Sequence, residues 1–243
     1  MPSDIKSTRN PIFCAIDTPS LVVARDLLAG IKPYIGGLKV GLEFFCANGI
    51  AGVQELNKNS DLPLFLDLKF YDIPNTVAAT VNVVSAISPS IINVHASGGR
   101  RMMESAREAA SKSAQAMGGT RPLVFGVTVL TSISSDELDE IGVFGSSQDM
   151  VLQLASLAKT AGLDGVVCSP HEVRQIKEAC GTDFKIITPG VRPLWAQKDD
   201  QKRVMTPSLA LAEGADYLVV GRPITGADNP ILAAQKIARE IDL

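Results

Sequence analysis

Asp67 and Lys69 stand two positions apart in the run PLFLDLKFYDIPNT, Asp72 follows three positions later, and Lys39 sits in an earlier run, GLKV. Two ammoniums and two carboxylates therefore alternate along the chain, and such a set supports three chemistries. As a catalytic network it can stabilise developing charge or pass a proton. As a packed salt-bridge network it only holds the fold together. As a metal site, Asp67 and Asp72 would offer oxygens to magnesium, although the lysine between them and the lack of a histidine close by count against this. Alternation along a strand puts Asp67 and Lys69 on one face and Leu66 and Leu68 on the other. Lys39, between Leu38 and Val40, obeys the same rule. Burying such charges is costly unless they pair and hydrogen bond, so their grouping needs a reason.

The elements that must position these residues are eight short runs. They are IFCAI from Ile12, GLKV from Gly37, PLFLDL from Pro63, IINV from Ile91, PLVFGVTV from Pro122, DGVVC from Asp164, FKII from Phe184 and DYLVV from Asp216. Each is too short for an average helix, and several are rich in β-branched residues, so they read as strands. Stretches with helical spacing separate most of them. Thr18 is expected to cap the first helix, with Pro19 in its first turn. Ser97 through Met117 reads as a longer helix stopped by Gly118-Gly119, and Pro170 and Pro207 stand near two later helix openings. Strands alternating with helices require a parallel sheet. Eight such units in 243 residues match an α/β fold of the (β/α)8 TIM barrel class, one domain over residues 1–243, with its site at the C-terminal mouth of the strands. A doubly wound sheet competes, but Ile16-Asp17-Thr18-Pro19 lacks the glycine-rich turn it would need. The fifth and sixth runs start 42 residues apart, and the stretch LTSISSDELDEIGVFGSSQ between them is too polar and glycine-punctuated for one continuous helix. A long loop over the mouth is expected there.

A barrel gathers the carboxyl ends of its strands at one mouth. That brings Asp17, Lys39, Asp67, Lys69, His95, Thr128 and Thr131 toward one cleft. The loops after the last two strands carry Thr188-Pro189-Gly190-Val191-Arg192 and Gly221-Arg222-Pro223. Glycine N–H groups and a guanidinium at this place suit a phosphate, and Arg192 competes with Arg222 for the role. His95 reads either as a proton carrier or as a structural hydrogen-bonding group at a strand end. Trp195, the only tryptophan, reads either as part of a mobile cover or as a core anchor. Met102-Met103 and Phe44-Phe45 read as packing groups.

Composition narrows the classes. With 23 basic and 26 acidic residues the net charge is −3, so the basic footprint of a nucleic-acid binder is missing. Cys14, Cys46, Cys168 and Cys180 form no CxxC pair, which points to reduced thiols in a cytoplasm. No apolar run has the length of a membrane span, and MPSDIKSTRN lacks the apolar centre of a secretion signal.

These motifs closely resemble the orotidine 5'-phosphate decarboxylase family, particularly its compact bacterial form. The resemblance runs through FCAID at 13–17, GLKVG at 37–41, DLKFYDIPNT at 67–76, NVHASGG at 93–99, VTVLTS at 127–132, TPGVRP at 188–193 and GRPIT at 221–225. It implies conversion of orotidine 5'-monophosphate to uridine 5'-monophosphate and carbon dioxide, the closing step of pyrimidine synthesis, with no metal, flavin or pyridoxal cofactor. It also implies a homodimer with shared sites. Lys69 matches the lysine that protonates C6, Asp67 the acid beside the substrate carboxylate, and Asp72 the acid supplied across the dimer. Lys39 completes the array and, with Asp17, resembles a ribose contact. Thr76 resembles a second cross-subunit contact and Thr131 the residue at the pyrimidine edge. Gln201 and Arg222 resemble phosphate ligands, in the region that also holds Arg192 and Gly221. Two other classes compete: a related metal-using sugar-phosphate barrel, and an inactive phosphate-binding barrel.

Overall fold

The computed structural model describes residues 10–241 apart from 59, 144 and 197–204. Gln201 lies outside the described residues. Eight parallel strands close into a barrel in chain order, with β1 pairing both β2 and β8. They are β1 (Ile12–Ala15), β2 (Gly37–Gly41), β3 (Leu64–Phe70), β4 (Ile91–His95), β5 (Leu123–Val127), β6 (Gly165–Val167), β7 (Lys185–Pro189) and β8 (Tyr217–Val220). Every strand falls within or across one of the eight sequence runs. Outside them run α1 (Leu21–Ile31), α2 (Leu42–Asn57), α3 (Pro74–Ser85), α4 (Arg100–Met117), α5 (Ser135–Glu140), α6 (Ser147–Thr160), α7 (Val173–Cys180), α8 (Pro207–Ala212), α9 (Arg222–Thr225) and α10 (Pro230–Glu240).

The strands lack a polar face because both of their faces are covered. Ile12, Cys14, Leu38, Val40, Leu64, Leu66, Ile92 and Val94 point outward into the layer under the helices. Phe13, Phe65, Ile91, Phe125 and Ile187 point inward. The inward set forms an aromatic plug: Phe13 meets Phe65 and Tyr217 edge-on at 6.4 and 5.6 Å, and Phe125 meets Tyr217 at 6.5 Å. Removing one of these buried rings would cost about 3–5 kcal/mol. Close approach of β6 and β7 requires Gly165, since a Cβ there would sit 2.1 Å from the Lys185 carbonyl oxygen.

The floor of the barrel, at the amino ends of the strands, is stapled by polar side chains. Arg121 grips Asp164 with two bonds of 2.7 and 2.6 Å, and Asp164 accepts from the Val124 N–H at 2.8 Å. Asp216 accepts from Lys177, Lys185 and the Ile186 N–H at 2.8, 2.9 and 2.8 Å. These bonds give backbone groups at the rim the partners they require.

Three local expectations need correction. Ser20, not Thr18, caps α1 by accepting from the Val23 N–H, while Thr18 accepts from the Ser20 N–H just ahead of the helix. The helix expected from Ser97 starts at Arg100, because Gly99 adopts φ +85° and breaks the helical path; its end at left-handed Gly118 is as expected. The long segment after β5 is not all loop: Ser134 and Glu137 close a reciprocal cap that nucleates α5, and Ser146 caps α6. Pro170 and Pro207 do open helical turns.

Candidate active site

Three strands build the charged centre. Asp67 near the end of β3 points into the mouth and is almost fully buried. Its Oδ1 accepts from Lys69 Nζ at 2.6 Å, and its Oδ2 lies 3.3 Å from Lys39 Nζ on β2. Lys39 in turn reaches Asp17 after β1 at 3.2 Å. Burial works against ionisation of Asp67, but the charges of Lys39 and Lys69 and hydrogen bonds from Lys69 and Asn93 outweigh it, holding the carboxyl below the usual range. Leu66 and Leu68 face away into the outer layer, as alternation requires.

Alternation does not explain Lys69. Its φ is +49°, and the register of β3 against β4 shifts between Leu66 and Phe70. A lysine in the left-handed region costs about 1–2 kcal/mol, so neighbouring bonds must hold it there. The Lys69 N–H donates to Asn93 Oδ1 at 2.8 Å, and Asn93 Nδ2 donates to Asp67 Oδ1 at 2.7 Å.

Beside this cluster opens a cavity of about 220 Å³. Asp67, Lys69, Thr131 and Ser132 supply its polar wall, and Val127, Val167 and Val219 its apolar one. A planar ring seated here would meet an ammonium and a carboxylate at one edge and aliphatic surface elsewhere. The β7 and β8 loops flank the same mouth. Gly190 adopts φ +79° just after β7, Pro189 lines the cavity, and Arg222 follows Gly221 directly after β8. Arg192 is half-buried, its N–H donating to the Met205 carbonyl oxygen at 3.1 Å, whereas Arg222 is exposed. Among the described residues, no group of three or more His, Cys, Asp or Glu side chains could hold a metal ion.

Comparison with known proteins matches this architecture. The model of the orotidine 5'-phosphate decarboxylase / HUMPS family matches residues 10–237. The chain belongs to this family. An orotidine 5'-phosphate decarboxylase of Rhodospirillum rubrum is 55% identical over 234 residues, covering 96% of this chain and 95% of the relative. One from Moorella thermoacetica is 46% identical, covering 97% and 93%. The crystal structure of orotidine 5'-phosphate decarboxylase from Lactobacillus acidophilus superposes with a TM-score of 0.84 at 36% identity, covering 96% of this chain and all of that one.

Within this family frame, the remaining expected residues divide. Lys39, Asp67, Lys69 and Asp17 come together in one chain, but the four-membered array read from the sequence does not. Asp72 is exposed, accepts from the Ile73 N–H at 2.6 Å, and makes no ion pair among the described residues. The strand has already ended, and neither Asp72 nor Thr76, the latter exposed in the first turn of α3, bonds to the cluster among the described residues. Thr131 is exposed on the cavity rim, while Thr128 is buried and donates to the Val167 carbonyl oxygen. His95 lies against the Tyr71 ring at 5.5 Å; burial and then the charge of Lys69 lower its pKa, partly opposed by Asp67. Trp195 is no core anchor: it is 46% exposed, with Lys236 of α10 lying 5.4 Å above its ring. Asn93 had no expected role. Its signal was present nonetheless, as the one amide in the apolar run IINV, which burial obliges to find partners.

Proposed function

We propose that this chain decarboxylates orotidine 5'-monophosphate to uridine 5'-monophosphate and carbon dioxide in the cytoplasm, acting as one barrel domain over residues 1–243 and needing no cofactor. The observation that carries this reading is the Lys69–Asp67–Lys39 cluster at the wall of the ring-sized cavity. When the bond from C6 to the carboxylate breaks, its electron pair stays on C6 in the ring plane, where π delocalisation cannot drain it. An ammonium fixed at that position stabilises the charge and then transfers one proton to C6. The resulting amine recovers its proton from solvent, so one proton is consumed for each carbon dioxide released. Asp67 keeps Lys69 in place and opposes the substrate carboxylate. That opposition accelerates the step only to the extent that it fades as the bond breaks. Lys39 and Asp17 take the ribose, Thr131 the pyrimidine edge, and Arg222, Gly221, Arg192 and Gln201 the phosphate side. Unpaired cysteines suit a reducing compartment.

A homodimer completes the reading. Tyr71 and Ile73, flanking Asp72, are apolar and 61% and 66% exposed, a surface that pairing with a second copy would cover. Asp72 and Thr76 would then serve the partner's site, supplying the fourth charge missing from the single chain. The deciding assay follows ultraviolet loss of orotidine 5'-monophosphate with release of carbon dioxide, before and after exhaustive chelation. Turnover that survives chelation supports the reading; a complete, magnesium-reversible loss points to a metal-using relative, and no turnover to a binding protein. For the dimer, inactive Asp72→Asn and Lys69→Ala proteins are mixed. Subunit exchange should restore activity, since one site of the mixed dimer holds both native residues. Confirmed mixed dimers without recovery would remove Asp72 from the partner's site.

A further inference from the structure

Asn93 is fully buried in β4 and is not among the residues lining the cavity. Its two arms end on the two central groups: Oδ1 accepts from the Lys69 backbone N–H, and Nδ2 donates to Asp67 Oδ1. The orientation of the amide is forced, because only the oxygen can accept from an N–H and only the amino group can donate to a carboxylate. Both bonds fall where β3 loses its regular register with β4. There the side-chain oxygen takes the place of the ladder acceptor that the shift removes, and it does so for a residue held in the left-handed region.

We infer that Asn93 is a positioning residue for the decarboxylation: a single amide fixes the backbone turn that aims Lys69 and orients the carboxylate against which Lys69 rests. The inference rests on the proposed reaction and concerns how its acid is held. Asp67 is faced by Lys39 from β2, Lys69 on its own strand and His95 from β4, with Asp17 beyond Lys39. Among the described residues, Asn93 is the neutral group that hydrogen-bonds the Asp67 carboxylate. It therefore adds a bond to the carboxylate without adding a charge that would compete with Lys69 for the developing anion. Its loss removes one of the groups that keep Asp67 ionised, so the carboxyl should titrate at higher pH.

Asn93→Leu removes both arms at similar volume. Asn93→Asp keeps the acceptor for the Lys69 N–H but sets a second carboxylate against Asp67. In Asn93→Leu, kcat per folded protein should fall about 100-fold, the cost expected of a misaimed reacting group, with KM within about threefold. In Asn93→Asp the acid limb of kcat/KM should move upward further than in Asn93→Leu, because two adjoining carboxylates resist joint ionisation. Part of the turnover should return as pH rises. An asparagine that merely fills the core would lower Tm and leave kcat, KM and the acid limb of the folded protein unchanged, and that result overturns the inference. If Asn93→Leu does not fold, the acid limb of Asn93→Asp decides alone. Carbon-13 titration of the Asp67 carboxyl reads the same lock without turnover: an upward shift in either variant supports it, and an unmoved titration removes it. An inactive parent chain would instead strike the proposed reaction, leaving the titration to judge the lock.

Discussion

An aspartate between two lysines occurs at both ends of this barrel. At the mouth Asp67 binds Lys69 and Lys39 at 2.6 and 3.3 Å; at the floor Asp216 binds Lys177 and Lys185 at 2.8 and 2.9 Å. The residue types and distances hardly differ, but the use of the remaining hydrogen-bonding capacity does. Lys177 also donates to the Thr182 and Phe184 carbonyl oxygens, both at 2.9 Å, so its three protons are all engaged. Asp216 spends another lone pair on the Ile186 N–H. Lys69 instead turns a flank to the cavity, and the strained backbone is its own rather than that of any floor lysine. A saturated charge set is mortar; a set with donors to spare beside a void can bind and react.

The largest effect should separate the two ends. Lys69→Ala is expected to lower kcat by at least about 10⁴-fold, since one change removes both the proton donor and the fixed charge. Its Tm should stay within a few degrees of the parent. Lys177→Ala should do the reverse, leaving turnover of the folded protein intact while removing about 3 kcal/mol of stability, since Asp216 loses one of its two cations and the Thr182 and Phe184 carbonyls lose their donor. That corresponds to a Tm fall of roughly 6–12 °C at this chain length, read by calorimetry. Turnover lost with Lys177, or folding lost with Lys69, would dissolve the contrast.

A smaller effect tests how the mouth divides its labour. Arg222→Ala should cut kcat/KM for the phosphorylated substrate by about 100-fold, as expected for a charge-assisted phosphate contact. The unphosphorylated nucleoside should lose little. Equal fractional losses for both compounds would take Arg222 out of the phosphate site.

The smallest concerns a carboxyl with no lysine partner. Burial, opposed by the Ser169 N–H, raises Glu172 from 4.5 to about 7. Between those values the folded chain holds a proton that the unfolded chain releases, so this group's contribution to stability declines as pH climbs through the window. Asp67 has the opposite sign: its contribution is present above its unfolded value and is lost as pH falls through the depressed one. Glu172→Gln should therefore raise Tm by a few degrees at pH 8 and leave it almost unchanged at pH 5. Melting curves with the same pH slope in both proteins would refute the assigned burial.

The barrel was legible because two-sided burial writes itself into composition: IINV and PLVFGVTV carry apolar side chains on both faces where a half-exposed strand would alternate. That Lys39 and Asp67 share a face was legible from alternation; their contact also needs the register of β2 against β3. The seat of Lys69 was not legible, because alternation foresees neither the register shift nor the left-handed turn, and the bond that the Lys69 N–H makes there goes to Asn93, 24 positions away. Asp72 lies beyond the end of β3 and just before α3 begins at Pro74, so strand alternation does not carry it to the cluster of its own chain. The start of α4 is not legible in the sequence, because Gly99 adopts a conformation that its sequence neighbours do not betray. The cap at Ser134 could have been found, since Ser-Ser-Asp-Glu carries the required spacing.

The aromatic plug has a consequence for traffic. Phe13, Phe65 and Phe125 are sealed from water, and Tyr217 closes the stack toward the floor. Among the described residues, this stack stands between Lys69 and the floor of the barrel. On the proposed mechanism, nucleotide, carbon dioxide and the proton that recharges the amine then share the one doorway at the mouth. Each departure clears the route for the next arrival, and anything that narrows the mouth slows every leg of the cycle together.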